Sequence, residues 1–329
     1  MKKAVAFSAQ QDRDRILHSR AFRQLDRKSE LFLDPAGELL PSRLFYALQA
    51  ASIARILAER LLLNESVAEV LVLSDALGHP AFGRAGTEAL DRLMADHGGF
   101  DPDAQSLRVA LELEMKHPEF NGLELSDPVR EILQGRKGLP EAGAASWGRR
   151  LARLLLDLES GLDAGLVTEA WLDGQALWQE IAAPAAQRYP KLVGSRRQAF
   201  HLQNLLTRLV DALAAPGEGR PPAFREEKTA KAFAELEAGI EKAVRRAPSL
   251  DRLYQDRGAC LETLFAIYVH RPHLLAERHG LRLKKDGVHR AVADFLADAG
   301  DRELLRLSRE IAGEEENAHV HQTPQGLLL

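Results

Sequence analysis

Apolar residues recur at spacings of three and four through most of the chain, the period of helices that bury one face. Between 43 and 63, Leu44, Leu48, Ala51, Ala54, Leu57, Ala58 and Leu61 form one such stripe. Asn64 then offers a side-chain cap for a helix over 65–77, which Gly78 and Pro80 stop. A second long stripe passes through Leu151, Leu154, Leu155, Leu158 and Leu162 within 147–166. The same period fills 168–189, 196–214, 228–246, 250–270 and 288–311. No series of alternating segments joined by hairpin turns interrupts it. The stretch 41–44 reads as extended, but it is short. The expected fold class is therefore all-α, with most Leu and Ala positions in the core.

The clearest break is Ala214-Ala215-Pro216-Gly217-Glu218-Gly219-Arg220-Pro221-Pro222, whose Gly and Pro content argues for a loop. It places a linker at 215–224, between an N-terminal helical domain over 1–214 and a C-terminal helical lobe over 225–312. From Gly313 onward the apolar stripe is lost, and 313–329 is expected to be a mobile tail.

Composition changes this picture little. The 329 residues are ample for a core, and 45% hydrophobic with 28% charged is ordinary for a soluble domain. A net charge of -4 gives no global field favouring nucleic acid or an anionic membrane. Basic clusters occur at Lys191, Arg196, Arg197 and Arg208, at Arg245-Arg246, and at Arg282, Lys284 and Lys285. With aromatics at only 6%, they have little to stack bases on and read as solvated faces. Cys260 is the single cysteine, which rules out an intrachain disulfide and fits a reducing cytoplasm. The apolar run after Met1-Lys2-Lys3 is too short for an export leader, and no stretch approaches a membrane span. For nucleophilic hydrolysis there is no signal: Cys260 has no nearby His, and neither Gly-x-Ser-x-Gly nor a Gly-rich phosphate loop occurs.

One stretch carries more. Leu73-Ser74-Asp75-Ala76-Leu77-Gly78-His79-Pro80-Ala81-Phe82-Gly83-Arg84 resembles the His-Asp-Leu-Gly-His-Pro-Pro-Phe-Gly-His run of the HD-domain deoxynucleoside triphosphate triphosphohydrolases, the dGTPase family. Other blocks follow that family's order. Ala21-Phe22-Arg23-Gln24-Leu25 and Lys28-Ser29-Glu30-Leu31-Phe32 are similar to its opening. Gly98-Gly99-Phe100-Asp101-Pro102-Asp103-Ala104-Gln105-Ser106-Leu107-Arg108 and Val292-Ala293-Asp294-Phe295 match later blocks. The resemblance implies an HD-type helical bundle with a C-terminal helical extension, a divalent metal such as Mg, Mn or a transition metal, and deoxynucleotide hydrolysis. It also implies an oligomer, either of this chain or with a paralogue.

The resemblance further implies a metal cage of one His, an adjacent His-Asp pair and a distant Asp, a set suited to a cation that binds phosphate and activates water. Those positions fall here on Tyr46, Asp75, Ala76 and Arg149. Shifting the pair to Ser74-Asp75 recovers one carboxylate and no imidazole. Arg84 stands where the family has a further His. No metal cofactor is therefore expected, and no residue is assigned a catalytic role. Asp75 and His79 form at best a weak two-ligand pair, and His79 is read as capping or packing the turn.

Arg84, Arg149 and Arg153 admit two readings. They line a metal-free anion pocket, or Arg149 pairs with Asp75 and the ion pair fills the space of a metal; the second is preferred because buried charge needs a partner. Such a partner is expected to lower the pKa of Asp75 and weaken it as a base. Arg23, Lys28, Gln105, Arg153 and Asp157 match positions that the resemblance associates with nucleotide contact, while Glu30 is expected to repel a triphosphate. Three functions compete: a pseudoenzyme that binds a nucleotide or a partner protein, an active triphosphohydrolase with a rearranged site, and a structural module assembled with an active paralogue.

Overall fold

The computed structural model describes residues 2–31, 41–135, 138–214 and 219–320, with the side chains of 2–7 and 312–320 excluded. Helices dominate, and among the described residues the only β-contacts are isolated bridges at Ser29–Ser42 and Met115–Gly122. The short extended stretch expected at 41–44 shrinks to the first of these, before a helix takes over at Arg43.

The N-terminal half is built from α1 (Lys2–Leu17), α2 (Arg20–Gln24), α3 (Arg43–Arg60), α4 (Glu65–Asp75), α5 (Gly83–Leu93), α6 (Pro102–Arg108), α7 (Asp127–Leu133) and α8 (Pro140–Asp163). Asn64 caps α4 as expected, its Oδ1 accepting the Val67 N–H at 3.2 Å. The region 168–189 divides at Asp173-Gly174-Gln175 into α9 (Glu169–Leu172) and α10 (Ala176–Arg188), followed by α11 (Gly194–Leu213). Beyond it lie α12 (Glu227–Ile240), a π-helical turn over Glu241–Arg245, α13 (Asp251–His270), and the short α14 (Glu277–Gly280) and α15 (Leu283–Asp286). The stripe over 288–311 is two helices, α16 (Val288–Asp298) and α17 (Asp301–Val320). The segment 313–320, expected as the start of a tail, is helical backbone of α17, and 321–329 lies outside the described residues.

Two apolar cores result, and their boundary is not the Gly/Pro-rich break. The first joins α1, α3, α4, α8 and α11 through residues such as Leu57, Leu151, Leu158 and Leu205, and also takes Phe233, Leu236 and Ile240 from α12. The second packs Phe82, Leu90 and Met94, on and beside α5, against Leu261, Leu264, Leu296 and Leu304 of the C-terminal helices. Each core thus contains chain from both sides of 215–224, four of whose residues, 215–218, lie outside description. A period of 3.6 identifies the buried face of a helix but not the helix that covers it.

Two blocks of sequence singled out above meet inside this packing. Gln105 Nε2 donates to Asp294 Oδ1 at 3.0 Å, and Arg108 Nη2 donates to Asp294 Oδ2 at 2.7 Å. Asp294 is almost wholly buried, so these donors satisfy a charge that burial otherwise penalises heavily. The clamp fastens α6 to α16.

Candidate functional site: a closed corner beside an open cavity

The C-terminal turn of α4 is held by short side chains. Ser106 Oγ donates to the Asp75 carbonyl at 2.6 Å and accepts the Gly78 N–H at 2.9 Å. A Cβ on Gly78 would stand 2.1 Å from the Ser106 amide nitrogen, so only glycine permits this approach. His79 Nδ1 lies 3.1 Å from the Asp75 carbonyl oxygen, which caps the turn as the sequence suggested. Burial, then Arg43, Arg153 and Lys28, hold the His79 pKa well below its ordinary value, so the ring is neutral. A donor at Nδ1 leaves Nε2 as an acceptor.

Across from this turn, α3 and α8 touch where side chains vanish. A Cβ on Gly148 would fall 2.6 Å from the Ala50 carbonyl oxygen and 2.8 Å from Ala54 Cβ. That approach lets the buried Tyr46 hydroxyl donate to the Arg149 carbonyl at 3.1 Å. Arg149 Nε in turn stands 3.2 Å from Asp75 Oδ2. Tyr46, Asp75 and Arg149, far apart in sequence, therefore form one tied corner, with the ion pair preferred above. Ala76 is buried beside it and brings no polar group.

One expectation about this corner is corrected. Burial raises the Asp75 pKa and outweighs the opposing pull of Arg149; nearby Asp103 adds to the rise, and the carboxyl sits at about 6. The sequence showed the arginine but not the degree of desolvation. A divalent cation does not fit these residues. The single carboxylate faces a guanidinium, the phenol is spent on a carbonyl, and the fourth position is a methyl group. Among the described residues no group of three or more His, Cys, Asp or Glu is placed to hold a metal ion.

Where the two cores meet, next to this corner, lies a cavity of about 490 Å³ walled by α5, α8, α12 and the π-turn after α12. Its deep wall is an alternating charge chain. Arg43 pairs with the buried Glu30, Arg245 Nη2 reaches Glu30 Oε1 at 3.1 Å, and Arg245 Nε reaches Asp157 Oδ2 at 2.6 Å. Glu30 is therefore already neutralised by arginines, which hold its pKa below the ordinary value against burial, the largest influence. Nearer the rim, Arg150 forms a two-pronged pair with Glu237 at 2.6 and 2.5 Å, and its guanidinium lies over Trp147 and Phe233. Arg84 pairs with Glu88, and Arg246 with Glu241. Arg153 differs: exposed on the cavity wall, it makes no hydrogen bond or ion pair among the described residues.

Of the five residues matched to nucleotide contact, two line this cavity, Arg153 and Asp157, and Asp157 is held by Arg245. The other three are elsewhere. Buried Lys28 donates from Nζ to the carbonyls of His79 and Ala297 at 2.9 and 2.7 Å, and burial brings its pKa down to about 8. Gln105 is committed to Asp294. Arg23 is exposed and donates to the His18 carbonyl. Sequence reasoning missed Arg43, Arg150, Glu237 and Glu241, and it placed Arg245 on a solvated face when Arg245 is central to the deep wall. No local pattern marks Arg245, whose partner Asp157 is 88 positions away. The remaining basic clusters are largely paired, with Arg197 on Glu169, Arg208 on Glu180, and Arg282 and Lys285 on Glu112.

Residues 223–310 match the family model described as a phosphohydrolase-associated domain. The chain is 30% identical to a deoxyguanosinetriphosphate triphosphohydrolase-like protein of Geobacter metallireducens, over 90% of this chain and 86% of that protein. It is equally identical to a protein of the same description from Nitrosomonas europaea, over 94% and 92%. A relative of that description from Bradyrhizobium is 37% identical over 64% of this chain and 60% of its own length. The chain belongs to the family of deoxyguanosinetriphosphate triphosphohydrolase-like proteins. No helix among its described residues is long and apolar enough to cross a membrane.

Proposed function

We propose that this chain is a binding member of its family: a regulatory or interaction protein that keeps the scaffold and a phosphate-accepting cavity but not metal-dependent turnover. The observation that carries this reading is the closed corner. With Arg149 on Asp75 and the Tyr46 hydroxyl on the Arg149 backbone carbonyl, each of the three side chains already has a partner. Opening the corner to a cation requires breaking an ion pair and setting a guanidinium beside a second positive charge, which Coulomb repulsion opposes. Triphosphate hydrolysis without a metal needs another group to activate water. The neutral His79 is bound through Nδ1 to a carbonyl, and Asp157 is held by Arg245. The cavity wall retains Arg153 for an anion.

The test is hydrolysis of a panel of deoxynucleoside triphosphates by the purified, folded chain with Mg²⁺ or Mn²⁺, read as release of tripolyphosphate. The reading expects none. Turnover that stops when a chelator is added overturns it.

A further inference from the structure

We infer that the cavity takes a phosphomonoester, an organic molecule carrying one phosphate group, and disfavours a triphosphate. This rests on the binding function proposed above and narrows its ligand. Six arginines and five carboxylates line the cavity. Each lining carboxylate already holds an arginine: Glu30 and Asp157 share Arg43 and Arg245, while Glu88, Glu237 and Glu241 hold Arg84, Arg150 and Arg246. His79 is neutral. Among the described residues, Arg153 is the one lining arginine that makes no hydrogen bond or ion pair.

A phosphomonoester carries a charge of about -1.5 to -2 near neutral pH, and a guanidinium matches two of its oxygens with parallel hydrogen bonds. A triphosphate brings further phosphate groups to a wall where every arginine but Arg153 already holds a carboxylate, so its added charge finds no counter-charge there. Carrying a metal into the cavity does not remove the mismatch, because the corner beside it lacks ligands for one. The volume is far larger than a phosphate ion needs and lies within the range of small-molecule sites. Pro102, half-buried on the wall, and the aliphatic stem of the exposed Arg153 offer apolar surface for an organic group. Among the described residues no Phe, Tyr or Trp lines the cavity, so these offer a base no stacking platform.

The experiment is calorimetric titration with thermal unfolding, in chelator-containing buffer, of the full chain and its Arg153→Gln variant. The probes are deoxyguanosine, deoxyguanosine monophosphate and deoxyguanosine triphosphate. A ligand that binds only the folded state raises the Tm. The monophosphate is expected to bind, the nucleoside to fail, and the triphosphate to bind roughly tenfold more weakly than the monophosphate. Arg153→Gln, at an exposed position and checked for unchanged circular dichroism, is expected to lose roughly tenfold to a hundredfold in monophosphate affinity. Triphosphate binding as tight as monophosphate overturns the charge argument while leaving the phosphate cavity standing. Monophosphate affinity unchanged in Arg153→Gln places the ligand elsewhere and overturns the assignment to Arg153. No binding by either phosphate overturns the cavity reading and this inference together.

Discussion

Arg149 and Arg153 stand one turn apart on α8, yet one closes a site and the other leaves one open. Arg149 meets a partly buried carboxylate and is tied through its own carbonyl to Tyr46. Arg153 faces a cavity whose acids are already taken. The lesson is that an arginine's role follows from the acids its neighbours leave over, not from its place in a motif. The deep wall makes the same point, since Glu30 loses its expected hostility to an anion once Arg43 and Arg245 flank it.

Breaking the deep wall has the largest expected effect. Arg245→Met leaves Asp157 buried without its partner and is expected to cost about 3–5 kcal/mol of stability in urea unfolding. A loss below about 1 kcal/mol would mean that the pair is screened as a surface pair is.

Prying the corner open comes next. Gly148→Val drives a side chain into the Ala50 carbonyl and Ala54, and is expected to cost about 1–3 kcal/mol through overpacking between α3 and α8. The same urea measurement checks it, and an unchanged midpoint contradicts the close approach.

The mildest perturbation sharpens the electrostatics. An acid that keeps its proton to higher pH when folded than when unfolded stabilises the fold while that proton is bound. For Asp75 this contribution therefore falls as pH rises from 3.8 to about 6 and is flat above. His279 opposes it: burial lowers its pKa from 6.5 to about 4, so its contribution rises over that interval. Asp75→Asn removes only the first slope. Relative to the parent, the variant is expected to gain stability between pH 4 and 6, measured by urea midpoints across that range. A constant difference would show that the Asp75 carboxyl titrates alike in both states.

Much of this was legible in sequence. The stripes through Leu57 and Leu151, the Asn64 cap and the stop at Gly78 follow from local chemistry, and helices fill the periodic stretches, though 168–189 and 288–311 each divide in two. The Asp75–Arg149 pair was legible through the register of a resemblance, with the rule that buried charge finds a partner. The cavity was not. Its walls join α5 to α8 and α12, and Arg245 reaches Asp157 across 88 positions through a π-turn that no spacing announces. Lys28 and Gln105 sat in recognisable blocks, but their carbonyl and carboxylate partners come from distant chain.

With a closed ion pair at Tyr46, Asp75, Ala76 and Arg149, the proposed function leaves Mn²⁺ no site on this chain. Calorimetric titration of the folded chain with Mn²⁺ tests it most directly, beside a variant carrying Tyr46→His, Asp75→His, Ala76→Asp and Arg149→Asp. The parent is expected to show no stoichiometric uptake and the folded variant one equivalent. One equivalent bound by the parent and lost on Asp75→Asn would contradict it.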